Sequence, residues 1–223
     1  MTQAIIDSSW RQISLAHKTG AFEALARGYS DPSRCYHDWS HLEDLLSKLE
    51  AHKGLTTRSD LICAAIFWHD GVYVTRAEDG AVRLDEDNVK ASAALFESFS
   101  AFSATDTQAV RDLILATATH LTAQPSIQYY DGFGRDMDFF LDLDLSSLGA
   151  SWPVFRDNLD RIRVEFSFVP EQEFYHDRLR MFDKFLSYGD RLFRLDASRA
   201  LWLAQAQSNI ARASQELIDS LKN

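Results

Sequence analysis

The sequence predicts an all-α fold, a helical bundle forming a single domain over residues 1–223. Three observations point there. Apolar residues recur at helical rather than alternating spacing along most of the chain. Only four prolines and nine glycines interrupt 223 residues. One segment, "LICAAIFW" (61–68), carries no charge and reads as a helix buried on all sides.

The elements follow in order. A first helix is expected near 3–17, with Ile5, Ile6, Ile13 and Leu15 as apolar positions, and a short one near 21–27. "YSDPSR" (29–34) is a turn, because Pro32 restricts Asp31 and cannot continue a helix. The next helix spans about 36–51, with Leu42, Leu45, Leu46 and Leu49 on one side, and "HKGLTTR" breaks it. The apolar helix occupies 59–70 with Ser59 as its N-cap. Residues 71–87 form a loop with a small hairpin around Asp79-Gly80. Helices are then expected near 86–100, 105–121, 134–146, 151–167 and 170–190. An amphipathic helix over 196–220, with Leu201, Leu203, Ile210 and Leu217, closes the chain. Packing on its own bundle is the expected use of that last face; self-association as a homodimer is the alternative.

A net charge of −10 without a basic stripe argues against duplex nucleic acid as a partner, since such binding rests on neutralising phosphates. A small phosphorylated molecule remains compatible, because local cations or a metal can offset the global field. Cys35 and Cys63, the two cysteines, offer neither a disulfide scaffold nor a thiolate zinc site. "MTQAIIDSSW" lacks the pattern of a secretory signal, and no apolar run approaches bilayer length, so no membrane partner and a cytoplasmic location are expected.

Seven histidines punctuate the chain. His17 and His52 fall near helix ends, where the dipole favours them. Glu173 and His176 have the Glu-x-x-His spacing of carboxylate di-iron bundles, but no second such motif exists, so a solvent-facing helix is the better reading. His37 and His41 in "RCYHDWSH" (34–41) are four apart, which on a helix gives one shared face. They form either a surface patch or two imidazoles meeting one cavity.

His69-Asp70 ends the apolar helix. An unpaired buried carboxylate is costly, so a partner is expected, and a divalent cation is one. The alternative is a histidine at a helix C-terminus followed by a turn at Gly71. Imidazole and carboxylate together suit zinc, manganese, iron or nickel better than calcium. "LILATATH" (113–120) is another apolar helix ending in a histidine, His120, and "FFLDLDLSSLG" (139–149) places Asp142 and Asp144 in an apolar stretch. Two apart on a helix, these aspartates point to different sides, and at most one reaches a common site easily.

These segments, in this order, resemble the HD superfamily of metal-dependent phosphohydrolases, whose pattern is a histidine, an adjacent His-Asp pair and a distant aspartate on a helical bundle. Here that reads His41, His69-Asp70 and Asp144. A bacterial subgroup of predicted HD-superfamily phosphohydrolases of unassigned substrate is closer still. Its hallmarks are Arg-x-Tyr-His-x-x-x-His, His-Asp-x-x-Tyr, Ala-Thr-x-x-His and Asp-x-Asp-Leu-Ser-x-Leu-Gly. This chain has "RCYHDWSH" (34–41), "HDGVY" (69–73), "ATATH" (116–120) and "DLDLSSLG" (142–149), and the likeness runs from about residue 5 to about 195.

"YHDWSH" also resembles a segment of cyclic-nucleotide phosphodiesterases, in which the first histidine donates a proton to the leaving oxygen and the second binds metal. That implies His37 as acid and His41 as ligand. Asp38 stands where those enzymes have asparagine, so their substrate class does not carry over.

The resemblance implies an HD-type bundle acting as a metal-dependent phosphoric ester hydrolase on a phosphomonoester or nucleotide. Its metal ligands would be His41, His69, Asp70 and Asp144, "DLS" (144–146) favouring Asp144 over Asp142. The ion would be Zn, Mn, Fe, Ni, Co or Mg, and Asp70 would also steer the attacking water. Arg34 is a candidate phosphate clamp, with an ion pair at the helix start as the alternative. His120 would bind a second cation or the phosphate, and Tyr36 and Tyr73 either contact substrate or simply pack. One departure stands out: Val89 in "NVKASA" (88–93) occupies a position where the subgroup is expected to carry glutamate. Two rival readings accompany this one, a non-haem iron oxygenase on the same bundle and a catalytically silent metal- or nucleotide-binding protein.

Overall fold

The computed structural model describes residues 2–222, and every regular element among them is helical. The chain forms two compact units, one reaching to Leu141 and the other beginning at Asp142. No helix among the described residues is long and apolar enough to cross a membrane.

The first unit contains α1 (Thr2–Ile13), α2 (Ala21–Tyr29), α3 (Trp39–His52), α4 (Ser59–Trp68), α5 (Asp85–Phe99), α6 (Ala104–Ala116) and most of α7 (Phe133–Leu145). At its centre is α4, packed against α1, α3, α5 and α6. Every residue from Leu61 to Trp68 is buried, as its all-round apolar character predicts.

The start of α4 differs from the expectation. Ser59 is the first helical residue, and Arg58 takes the cap position without its side chain capping the helix. The amides of Thr57 and Arg58 instead donate to the two carboxylate oxygens of Asp136, at 2.8 Å each. Asp136 is fully buried on α7 and also accepts from the Tyr130 hydroxyl at 2.9 Å. A cap supplied from 79 residues away leaves no local signature.

Other boundaries shift for local reasons. Asp38 is extended and caps α3, its Oδ1 accepting from the Ser40 amide (2.8 Å) and hydroxyl (2.6 Å), so the helix starts at Trp39 rather than near 36. The helix ending at Ala116 gives way to a 3₁₀ turn, Thr117–Thr119, before His120. The expected hairpin is present: Arg76 bridges Val82, and Gly80 turns the chain with φ of +88°.

α1 also stops early, at Ile13, and His17 is not a helix-end residue open to the dipole. It is buried in an extended conformation. Its Nδ1 donates to the Ile13 carbonyl (2.9 Å), and its Nε2 accepts from the Trp68 indole (3.0 Å). These two bonds specify one neutral tautomer. Trp10, Trp68, Phe96 and Phe102 surround the ring. Burial lowers its pKa, outweighing the bond to Ile13.

As pH falls through histidine's ordinary value of about 6.5, the unfolded chain therefore takes up a proton at this position before the folded one does. Stability supplied by neutral His17 is whole above that pH and is lost progressively below it. A urea midpoint series between pH 7.5 and pH 5 is expected to show a steeper acid loss for the wild type than for His17→Gln, which can still accept from Trp68.

The second unit begins with the end of α7 and a 3₁₀ turn, Ser146–Gly149, followed by α8 (Trp152–Glu165) and α9 (Glu171–Ser187). The expected closing helix is interrupted: α10 (Asp196–Ser198) leads through a π-helical turn, Arg199–Leu203, into α11 (Ala204–Leu221). α11 packs on α8, α9 and the 146–149 turn. The turn lies close enough that a Cβ on Gly149 would meet the Cβ and the carbonyl oxygen of Trp202, both at 2.7 Å. Asn209 secures it by donating to the carbonyls of Leu148 and Ala150, both at 2.8 Å. The extra residue of a π turn shifts the helix face, which leaves Leu201, expected on the apolar side, 46% exposed.

Candidate metal centre

A helix ends with carbonyls that have no partner within it, and at the C-terminus of α4 side chains supply partners. The Tyr29 hydroxyl donates to the Phe67 carbonyl (3.0 Å) and the His69 ring, through Nδ1, to that of Ile66 (2.9 Å). Arg34, itself buried, donates to the carbonyls of Asp70 (2.8 Å) and Gly71 (3.3 Å). These bonds hold the His-Asp turn. Gly28 on α2 makes room for the turn, since a Cβ there would sit 2.7 Å from the Gly71 oxygen.

This turn carries His69 and Asp70 to His41, which is buried on the first turn of α3. His69 Nε2 lies 3.3 Å from His41 Nε2 and 3.2 Å from Asp70 Oδ2. His41 Nε2 is 3.9 Å from the same carboxylate oxygen. Donor atoms of these three residues all lie within 4.8 Å of one another. Because His69 gives its Nδ1 proton to Ile66, a neutral ring presents a lone pair at Nε2. That lone pair faces a carboxylate oxygen and a second imidazole nitrogen. A hydrogen on His41 Nε2, or a cation among the three atoms, satisfies the arrangement. A metal-binding histidine characteristically has its other nitrogen tied to a carbonyl or carboxylate, as here.

Burial pushes the Asp70 carboxyl up, but the His69 ring beside it, then His37 and His41, more than reverse this and hold it well below the usual carboxylate range. The carboxylate is thus ionised at neutral pH, and the negative end of the α4 dipole adds to the field favouring a cation. Two nitrogens and one carboxylate oxygen suit a transition metal or zinc, and three protein donors leave positions for water and substrate.

His37 reaches this cluster by a different route from the one its spacing suggested. It precedes the Asp38 cap and is not helical, so the i, i+4 face does not apply. Its ring is nevertheless 6.1 Å from that of His41, centre to centre, and stacks on Tyr73 at 3.8 Å with a 23° tilt. Tyr36 contacts both histidines, with ring centres 4.8 Å from His37 and 5.2 Å from His41.

The structure brings together His41, His69 and Asp70, with His37, Tyr36 and Tyr73 around them. His120 stands outside the three-donor cluster, half-buried after the 3₁₀ turn. Asp144 is half-buried on the last turn of α7, in the second unit. Asp142 accepts from the amides of Arg194 (2.7 Å) and Leu195 (2.9 Å), which commits it to anchoring that segment. Val89 is buried and lines a cavity of about 300 Å³ with Leu115, Ala118 and Thr119. Glu173 and His176 are exposed, as expected for a solvent-facing helix.

Sequence reasoning missed Tyr29 and Gly28 as supports of the turn, and it missed Asn88 and Ser92, whose side chains hydrogen-bond the main chain of Val74 and Val72. For Asn88 and Ser92 a signal existed, their i, i+4 spacing on one face of α5. No protein-family model, curated protein or solved structure matches the chain.

Proposed function

We propose that the protein is a metal-dependent phosphohydrolase acting on a small phosphorylated substrate, a phosphomonoester or nucleotide, with His41, His69 and Asp70 as ligands of a divalent ion. One observation carries this reading. The Nε2 lone pair of His69, fixed by the Nδ1 bond to Ile66, converges with His41 Nε2 and the ionised Asp70 carboxylate. The order of HD-type motifs supports the same reading.

A divalent ion held by His41, His69 and Asp70 would lower the pKa of a coordinated water and polarise a phosphoryl oxygen. The residues of this chain do the rest. Asp70 is held as carboxylate and accepts a hydrogen bond from the attacking water, which orients it for in-line approach to phosphorus. His37 carries a proton to the departing oxygen. Tyr73 and Tyr36 keep that imidazole in place by ring contact. Arg34 fixes the backbone of the turn that bears Asp70.

The test is elemental analysis of the purified protein, then a panel of phosphate esters assayed after chelation and re-addition of Zn, Mn, Fe, Ni, Co or Mg. The expected result is a divalent ion retained on purification and phosphate release that disappears on chelation and returns with metal. No retained ion and no phosphate release with any of the six would contradict the proposal. Iron with a visible absorption band and no hydrolysis would favour the oxygenase reading instead.

A further inference from the structure

We propose that Asn88 and Ser92 are positioning residues for the reaction: they clamp the backbone on either side of Tyr73 and thereby hold the ring against which His37 is aligned. The inference rests on His37 as the proton donor of the function proposed above.

The clamp is made of four hydrogen bonds. The Ser92 hydroxyl accepts from the Val72 amide and donates to the Val72 carbonyl, both at 3.0 Å. The Asn88 side chain treats Val74 in the same way: Oδ1 accepts from its amide at 3.1 Å and Nδ2 donates to its carbonyl at 3.0 Å. Each side chain does for one residue what a neighbouring strand does in a sheet. The geometry fits because the repeats agree. Four residues of helix rise about 6 Å, and two residues of extended chain rise about 6.6 Å. One turn of α5 can therefore grip alternate residues of the segment. Both side chains are buried, Asn88 4% and Ser92 0% exposed, so their polar atoms depend on these partners.

Tyr73 lies between the two gripped residues. Its ring stacks on His37 at 3.8 Å. The Arg34 guanidinium carbon is 5.9 Å from the same ring, so the residue that holds the His-Asp turn also touches the stack. His37, outside any helix, is in ring contact with Tyr73, with Tyr36 and with His41. A loose 71–75 segment would let both rings drift, and a displacement of about 1 Å at a reacting group can cost on the order of a hundredfold in rate.

The experiment compares Asn88→Ala, Ser92→Ala and Ser92→Thr in the full chain by three readouts: the NMR shifts of the His37 ring protons at one fixed pH, metal content, and kcat and KM of the metal-loaded protein. In the wild type the Tyr73 ring current is expected to move the His37 protons upfield. In both alanine variants that displacement is expected to collapse, and kcat to fall on the order of tenfold to a hundredfold, with metal content retained and KM nearly unchanged. Ser92→Thr, which keeps the hydroxyl, is expected to restore both.

Alanine variants with an undisturbed His37 shift and kcat would overturn the proposal, as would Ser92→Thr behaving like Ser92→Ala. Amide exchange in the unsubstituted protein needs no variant: protected Val72 and Val74 amides are expected, and exchange at open-loop rates would overturn the clamp. The ring shift and amide exchange require no turnover, so a protein that hydrolyses no phosphate ester defeats the hydrolase reading while these two still decide the clamp.

Discussion

Asp70→Ala is expected to release the bound divalent ion and abolish phosphate release together. The carboxylate is the negative charge of the cluster, held ionised by the imidazoles around it. Without it two neutral rings remain, and their 3.3 Å Nε2 contact can be satisfied by a single shared proton instead of a metal. Even outer partners of metal ligands are worth about 10–100-fold in affinity, and loss of an anionic ligand exceeds that. The fold should survive, because the bonds from Arg34 go to the main-chain oxygens of Asp70 and Gly71 rather than to the carboxylate. Elemental analysis beside a far-ultraviolet spectrum checks both halves. A variant that retains its ion would show that the carboxylate is not a ligand.

His37→Ala is expected to do the reverse, keeping the ion but slowing turnover by about 10²–10⁴, the usual contribution of a positioned general acid. His37 is outside the three-donor group, and the nearest ring to it is that of Tyr73. The loss should depend on the leaving group. A nitrophenolate departs without protonation and should be nearly insensitive to the change, whereas an alkoxide should suffer the full loss. Measuring kcat for one ester of each kind checks this. An ion-free His37→Ala protein, or equal losses on both esters, would refute the division of labour between His37 and His41.

The legibility of this molecule in its sequence varies with the range of the interactions. The charge-free run of α4 announced a central helix, and its terminal His-Asp announced groups in need of a partner; both are properties of a few adjacent residues. The Asp79-Gly80 hairpin was legible for the same reason. His37 and His41 were paired on a helical face that does not exist, because Asp38 caps α3 between them; the two rings still approach each other through the loop. Asp136 at the start of α4, and Tyr29 and Arg34 at its end, act across tens of residues and left no local pattern. The π turn lies against Gly149, a close approach that helical periodicity does not encode. His17 illustrates the converse: its position near a helix end suggested a histidine favoured by the dipole, and the packing of four aromatic rings makes it a buried group instead.

His41, His69 and Asp70 are proposed to share one divalent ion. Anomalous X-ray diffraction at the zinc or manganese edge, on crystals of the full chain equilibrated with that metal, tests it most directly. The expected map has an anomalous peak at coordination distance, about 2.0–2.2 Å, from His41 Nε2, His69 Nε2 and an oxygen of Asp70. A saturated crystal with no peak among these three atoms, or with the ion bound only elsewhere, would contradict the account.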